Sequence, residues 1–314
     1  MSNTKSSPPP PPPAHTPDAV VADARAVDIS PVLLDVRSDA SLLSRVGVEI
    51  LGTFALVLVT LGAALYLPLF GVDAFGIAIT AGLALAGLTV AFGHVSGGHF
   101  NPAVTFAAAL AGRIRLVDLV LYWLAQVLGG IVAGVTLLAT IPAALPGVLR
   151  DSGLLTTEGQ DARGFMESVA NGWGEASPLS VVSGDLVEFD LRAALVLEVV
   201  AVAALVAVVL GSASRRAARA AAPFAVGATY AVLLMITAPA TGGALNPARA
   251  TAAAVFSTGP AMSQLWLFWV APLLAAAVVG LAYLAFSPVP QSAFEDFEDD
   301  EDDEDDEEDT AVTP

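Results

Sequence analysis

The sequence is poor in the side chains that carry out most protein chemistry. Its 314 residues include no cysteine, three histidines and a single lysine. The absence of cysteine excludes disulfide bonds, thiolate nucleophiles and cysteine-ligated metal sites. His94 and His99 lie close together along the chain, but no third or fourth ligand accompanies them. We therefore expect no metal ion, no cofactor, no catalytic residue and no nucleic-acid partner, and we expect that the protein is not an enzyme.

Charged side chains are also scarce. They make up 14% of the chain, against 55% hydrophobic residues, whereas a soluble globular domain usually carries about a quarter of charged residues. The mean hydropathy is +0.72. This composition excludes an ordinary soluble domain and indicates that a lipid bilayer surrounds the protein.

The two ends of the chain differ from the part between them. Residues 1–43 contain the run Pro8–Pro13 but lack a short apolar core with a cleavage site, so they predict a disordered arm and not a targeting peptide. Fourteen of the thirty-one acidic residues lie between Glu295 and Asp309, and such a run stays solvated because like charges repel. We expect residues 289–314 to be a disordered acidic tail, which leaves residues 44–288 as the membrane domain.

Six apolar segments of this domain are long enough to cross a membrane. About 20 helical residues span roughly 30 Å of hydrocarbon, and helices satisfy their own backbone hydrogen bonds in lipid. The predicted spans are residues 45–67, 73–94, 117–140, 191–211, 222–240 and 263–286. Two further apolar stretches, near 101–111 and 246–257, are too short to cross. They are either re-entrant half-helices or amphipathic surface segments.

Basic residues are concentrated in the short loops. The loop of about residues 141–190 carries two arginines among eight acids. The arginines that follow the second and fourth spans are Arg113, Arg115, Arg215, Arg216 and Arg219. By the positive-inside rule these short loops are cytoplasmic. An even number of spans then places both termini in the cytoplasm.

An internal repeat divides the membrane domain into residues 44–140 and 191–288. A glutamate lies early in the first span of each repeat, Glu49 and Glu198, and a Gly-Gly-x-x-Asn-Pro-Ala motif follows the second span. Because three crossings separate equivalent points, the second copy enters the membrane from the opposite side. Inverted repeats of this kind place the functional site near the bilayer midplane, where broken helices meet.

The strongest local signal is the repeated tripeptide Asn-Pro-Ala, at Asn101-Pro102-Ala103 and Asn246-Pro247-Ala248. Asn-Pro is in itself a common helix start, with asparagine as the N-cap and proline at the first helical position. Two half-helices of about 15 Å, one from each face, fill the roughly 30 Å core and meet head-on. Their positive dipole ends would repel a cation, and the two amides would donate to the oxygen of a passing molecule, which interrupts a proton-conducting water wire.

The glycine pairs before the motifs indicate extended backbone. Non-helical backbone at membrane depth is tolerated where it lines a wet cavity, and glycine adopts the conformations that such a segment needs. We expect these carbonyls to form a ladder of acceptors along a pore. The residues expected to contribute backbone to the pore are His94, Gly97, Gly98, His99, Gly242 and Ala244.

Three charged residues lie inside the apolar segments, beyond the first two residues of each, and need an explanation. Arg249 is the only charged residue between Arg219 and Glu295, and an intramembrane charge commonly faces an aqueous pathway; the alternative is a side chain that snorkels to the interface. Glu49 and Glu198 have no histidine, lysine or cysteine neighbour. They either accept hydrogen bonds from backbone N–H groups of the nearby loops, which we favour, or line the pore.

These motifs resemble those of a known family. The segments that carry the likeness are 93–105, 246–249, 49–54, 264–270 and 171–175. Together they resemble the aquaporin (major intrinsic protein) family, with closest similarity to bacterial water channels. The resemblance implies an all-α membrane protein with six transmembrane helices, two re-entrant half-helices, one pore in each protomer and a homotetramer. It also implies passive passage of water and small neutral solutes across the plasma membrane, with exclusion of protons and ions.

One part of the chain departs from the family pattern. In water-selective members the outer constriction consists of an aromatic residue, a histidine, a small residue and an arginine. The corresponding positions are Ala81, Leu234, Gly243 and Arg249, so only the arginine is retained. Glycerol-conducting members have aromatic residues and a glycine there, and this chain lacks those aromatic residues too. A facilitator of glycerol or other small neutral solutes with a widened filter is therefore the alternative to a water channel.

Two other classes of function remain open from the sequence. A coupled secondary transporter also shows inverted repeats and broken helices, but the sequence shows no acidic residue near the midplane motifs along the chain. A non-conducting membrane structural protein would have an occluded pore. A passive channel agrees best with the paired motifs.

Overall fold

The structure is a computed structural model that describes residues 40–154, 161–212 and 216–286, apart from the side chains of residues 216–219. The arm and the acidic tail predicted from the sequence lie almost wholly outside these residues. Within them, regular structure is helical apart from one isolated bridge between Gly174 and Phe189.

The helices follow one another in the order that the repeat predicts. In the first half they are α1 Leu42–Tyr66, α2 Ala74–Ser96, α3 Pro102–Leu110, α4 Leu116–Thr140, α5 Leu145–Asp151, α6 Ala162–Glu167 and α7 Pro178–Ser183. In the second half they are α8 Leu191–Ser212, α9 Arg216–Thr241, α10 Pro247–Phe256, α11 Ala261–Gln264 and α12 Leu267–Phe286. A short 3-10 helix, Leu67–Phe70, continues α1.

The prediction of six spans is confirmed among the described residues. The helices long and apolar enough to cross a membrane are α1, α2, α4, α8, α9 and α12, the last together with α11. The two short stretches form the half-helices α3 and α10. The boundaries need correction at two ends. Helix α1 begins at Leu42, because the Ser41 side chain caps the amide of Ser44, and α9 begins at Arg216, six residues before the apolar segment predicted its start.

The two ends of the bundle are named here by what they carry. The arginine face bears Arg45, Arg113 and Arg115, and the loop face bears the segment 141–190. On the arginine face, Asp118 accepts hydrogen bonds from Arg45 at 3.0 Å and from Arg115 at 2.9 Å, which joins the start of α1 to the start of α4. The hydrogen bond to Asp118 raises the pKa of Arg115. The outward sides of the spanning helices carry exposed apolar side chains, among them Leu83, Leu124, Val200 and Leu281, as lipid-facing surfaces do.

The two repeats interlock. Helix α1 packs on α4 and α8 packs on α12, while α2 and α9 pack on each other between the repeats. Each half-helix packs mainly on the third span of the other repeat, α3 on α12 and α10 on α4. Neither repeat therefore encloses its own half-helix, and the membrane domain forms only when both are in place.

Small residues allow these helices to approach closely. A Cβ on Gly82 in α2 would lie 2.5 Å from the carbonyl oxygen of Gly227 in α9, and a Cβ on Gly227 would lie 2.4 Å from the carbonyl oxygen of Gly82. Each glycine lies nineteen residues before the motif asparagine of its own repeat. Small residues at such crossings are typical of membrane helices, whose association depends on close packing.

This crossing gives a prediction that compares two glycines of α2. Gly82→Ala places a methyl group against backbone, so we expect a loss of about 1–3 kcal/mol of stability from overpacking. Gly87→Ala has nothing within 4 Å of the new Cβ, so it should leave stability unchanged or raise it by about 0.5–1 kcal/mol. Thermal unfolding in detergent, followed by circular dichroism, measures both. Equal melting temperatures for the two variants would contradict the close crossing.

Candidate pore

The two motif asparagines are linked to each other's loops. The Asn101 side-chain amide donates to the carbonyl of Leu245 at 2.9 Å, and the Asn246 amide donates to the carbonyl of Phe100 at 2.9 Å. Both side chains are buried. The structure therefore brings the two motifs together at one point, where the half-helices meet.

Each asparagine also caps its half-helix. Asn101 Oδ1 accepts the amide of Ala103 at 2.9 Å, and Asn246 Oδ1 accepts the amides of Ala248 at 2.9 Å and Arg249 at 3.4 Å. Pro102 and Pro247 occupy the first helical positions, where the missing N–H is no loss. In each asparagine, Oδ1 accepts the capping hydrogen bond and Nδ2 donates to the carbonyl of the other loop. The two bonds hold the side chain in one orientation. One N–H of each amide stays available to a molecule at this point.

Glu49 accepts hydrogen bonds from the loop that precedes the first motif. Its Oε1 accepts the Ser96 hydroxyl at 2.7 Å and the His99 amide at 3.0 Å, and its Oε2 accepts the Phe100 amide at 2.8 Å. The Gln126 amide of α4 donates to the same Oε2 at 2.8 Å. The carboxylate thus accepts the N–H groups that the non-helical segment leaves without helical partners.

Glu198 does the same for the second loop. It accepts the Thr241 hydroxyl at 2.6 Å, the Ala244 amide at 3.1 Å and the Leu245 amide at 3.0 Å. The two carboxylates are fully buried, and their hydroxyl and backbone donors correspond position by position in the two repeats, whereas Gln126 donates to Glu49 alone. Each glutamate therefore anchors one loop, because its carboxylate oxygens accept hydrogen bonds from backbone amides of that loop.

The loops themselves contain an unusual run of left-handed backbone. Gly97 and Gly98 have φ of 91° and 65°, and Gly242 and Gly243 have 75° and 64°. Phe100 and Leu245, just before the asparagines, have φ of 49° and 51°, which costs a residue with a Cβ roughly 1–2 kcal/mol. The hydrogen bonds from their amides to the two glutamates offset that cost.

One expectation about the backbone ladder needs correction. His94 does not lie in the loop, because α2 continues to Ser96 and ends only where Gly97 turns left-handed; His94 lines a wide cavity at the arginine face. The carbonyl of Ala244 already accepts the amide of Asn246 at 2.5 Å. It can still accept a second hydrogen bond, because a carbonyl oxygen has two lone pairs.

Arg249 is anchored from the loop face. Its guanidinium donates to the side-chain oxygen of Asn171 and to the carbonyl of Gly242, the latter at 3.3 Å. The Asn171 amide in turn donates to the carbonyl of Thr241 at 2.8 Å. Arg249 is 6% exposed, so its side chain does not extend to the membrane interface. Sequence reasoning noted Asn171 only as part of a loop. Its burial, which requires hydrogen-bond partners for the side chain, becomes visible only in the structure.

The four predicted filter positions lie around one cavity or directly behind its wall. Ala81, Leu234 and Arg249 line a cavity of about 240 Å³ that opens toward the loop face, together with Gly242. Gly243 packs against Leu234, where an added Cβ would lie 2.8 Å from Cδ2 of that leucine. Apart from the guanidinium, this cavity is mostly apolar.

Two further cavities continue from this one. A cavity of about 20 Å³ is lined by Asn101, Asn246, His99 and Tyr230, a space large enough for about one water molecule. A cavity of about 650 Å³ follows at the arginine face and shares His99 and Gly98 with it. The three cavities follow one another between the two faces, and the smallest of them is the one lined by the asparagines.

The role of the buried acids can be tested at Glu198. Glu198→Gln replaces an acceptor oxygen with an NH₂ group that faces backbone N–H groups, so we expect a loss of about 1–3 kcal/mol from unsatisfied donors. Glu175→Gln, at an exposed position, is the control and should change nothing. Thermal unfolding in detergent measures both, and a Glu198→Gln protein as stable as the control would contradict the anchoring role.

Comparison with known proteins agrees with this geometry. The family model described as "Major intrinsic protein" matches residues 36–283. The chain is 35% identical to Aquaporin Z of Brucella melitensis over 76% of its own length and 95% of the relative's, and 35% identical to Aquaporin Z of Photorhabdus laumondii over 77% and 96%. The solved aquaglyceroporin of Plasmodium falciparum has the same fold, with a TM-score of 0.57 and 21% identity over 78% of this chain and 95% of that one. The chain belongs to the major intrinsic protein family.

Proposed function

We propose that the protein is a passive membrane channel for water that also admits small neutral solutes and excludes protons and ions. The observation that carries this proposal is the pair of asparagine amides, each of which caps its own half-helix and donates to the backbone in front of the other, at the smallest of the three cavities. The relatives named Aquaporin Z support water as the main permeant.

Proton and cation exclusion follow from the same point of the pore. The N-termini of α3 and α10 face each other there, and their dipoles make the site unfavourable for a cation. A water molecule that accepts hydrogen bonds from the two amides must direct its own hydrogens away along the pore axis. The hydrogen-bonded chain of waters is thereby interrupted, so protons are not relayed.

The placement in the cell follows from charge and surface. We propose that the protein is a multi-pass protein of the plasma membrane, with the arginine face and both termini in the cytoplasm, because short basic loops stay inside. The exposed apolar sides of the spanning helices support contact with lipid and with other copies in a homotetramer. Membership of a channel family supports the absence of enzymatic activity.

Osmotic flow through proteoliposomes tests the function. We expect vesicles with the purified protein to shrink faster than empty vesicles after a step in impermeant sugar, with a low activation energy, since a pore bypasses the bilayer. The measurement is stopped-flow light scattering. Shrinkage at the rate of empty vesicles would contradict a water channel, and flow that saturates and needs an ion gradient would favour a coupled transporter.

A second candidate, a facilitator of glycerol or similar solutes, is favoured by the loop-face cavity. Ala81 and Leu234 leave this cavity without the aromatic and histidine side chains expected of a water filter. The same vesicles challenged with glycerol and urea distinguish the two. Re-swelling by glycerol influx at a rate comparable to water flow would identify the facilitator.

Arg249 gives a prediction on exclusion. Arg249→Val removes the positive charge and the strongest donors from the cavity, so we expect cation leak and the permeation of larger neutral solutes to rise while water flow persists. Arg192→Val, an exposed arginine in the first turn of α8 at the loop face, is the control. Potentiometric leak and solute influx are measured at equal protein density. A solute profile equal to that of the control, in a folded protein, would mean that Arg249 is not part of the filter.

A further inference from the structure

Tyr230 of α9 carries a buried hydroxyl that no described residue satisfies. The residue is 2% exposed, and its hydroxyl oxygen has no hydrogen-bond partner among the residues that the structure describes. A buried hydroxyl without a partner is unfavourable, and most such groups bind water or a ligand. Nothing in the sequence singles out this tyrosine, because an aromatic residue in an apolar span usually serves packing.

The position of Tyr230 explains where a partner can come from. Tyr230 lines both the loop-face cavity of about 240 Å³ and the central cavity of about 20 Å³, and it is the one residue common to the two linings among the described residues. A molecule that moves from Arg249 to the asparagines therefore passes the Tyr230 side chain.

Close packing of α9 on α2 fixes the position of Tyr230 between the two cavities. It lies three residues after Gly227, whose close contact with Gly82 sets the distance between α2 and α9. Ala81, next to Gly82, belongs to the same packed cluster as Tyr230. Because Ala81 is small, the neighbouring part of α2 leaves room for the large ring in the cavity that both residues line. Leu234 lies one helical turn away from Tyr230, toward the loop face.

We propose that Tyr230 is the specificity-determining residue of this channel: its ring forms the constriction, and its hydroxyl exchanges hydrogen bonds with each permeating molecule between Arg249 and the asparagine pair. The constriction then lies about one helical turn deeper along α9 than Leu234. The Tyr230 hydroxyl then supplies the polar group that Leu234 does not provide. This inference rests on the proposed channel function.

The hydroxyl and the ring can be tested separately. Tyr230→Phe keeps the ring and removes the hydroxyl, so a molecule at the constriction loses one hydrogen bond; water permeability should fall about fivefold, a factor expected for one such bond at a barrier. Tyr230→Ala removes the ring, and glycerol permeability should rise about tenfold or more. Leu234→Ala should raise glycerol permeability by less than Tyr230→Ala, because it widens a part of the pore that does not limit passage.

Tyr66→Phe is the matched control, because Tyr66 lies at the end of α1 and packs on Phe165 with a ring separation of 6.2 Å. Stopped-flow measurements of water and glycerol in proteoliposomes at equal protein density compare all variants. Tyr230→Phe permeability equal to that of Tyr66→Phe, or a larger glycerol increase from Leu234→Ala than from Tyr230→Ala, overturns the proposal. If Tyr230→Ala fails to fold, the Tyr230→Phe result decides. Absence of water flow in the unsubstituted protein contradicts the channel function itself.

Discussion

The membrane domain depends on the two hydrogen bonds that join each motif asparagine to the backbone in front of the other. They connect residues 144 and 146 positions apart in the sequence, so they form only when both half-helices have entered from opposite faces and met. The same amides cap α3 and α10 through their oxygens. Each asparagine therefore caps its own half-helix, binds the opposite loop and keeps one N–H available in the pore. A change in any of these would move the others.

The glutamates make this meeting point possible. Two loops at membrane depth expose amide groups that lipid cannot satisfy, and an unsatisfied group there costs several kcal/mol. Glu49 and Glu198 accept these amides from the side away from the pore. The carbonyls of the two loops are thereby left to face the cavities. The same hydrogen bonds stabilise the positive φ of Phe100 and Leu245. Burial of two carboxylates is tolerated because every oxygen receives N–H or O–H donors.

Sequence reasoning predicted the elements better than their partners. Hydropathy and length were sufficient for the six spans, and Asn-Pro with its glycine pairs was sufficient for the half-helices, because these signals are local. The packing of α3 on α12 and of α10 on α4 was not predicted, since apolar helix sides look alike in a sequence. The contact of Arg249 with Asn171 was missed for a related reason: it joins positions 78 apart through a loop whose path has no periodic pattern.

Charge and width in the half of the pore at the loop face are set by different parts of the fold. The Arg249 guanidinium is oriented by acceptors on the loop side, Asn171 and Gly242, whereas the opposite walls come from α2 and α9. Side chains such as Ala81 and Leu234 can therefore vary in size without displacing the positive charge, because neither binds it. Width then depends on whichever side chain of α2 or α9 extends furthest into the passage. In this chain α2 offers Ala81, and α9 offers Leu234 and, one turn further in, Tyr230; on the proposed role of Tyr230, the charge of Arg249 and the constriction would lie at different depths along one pore.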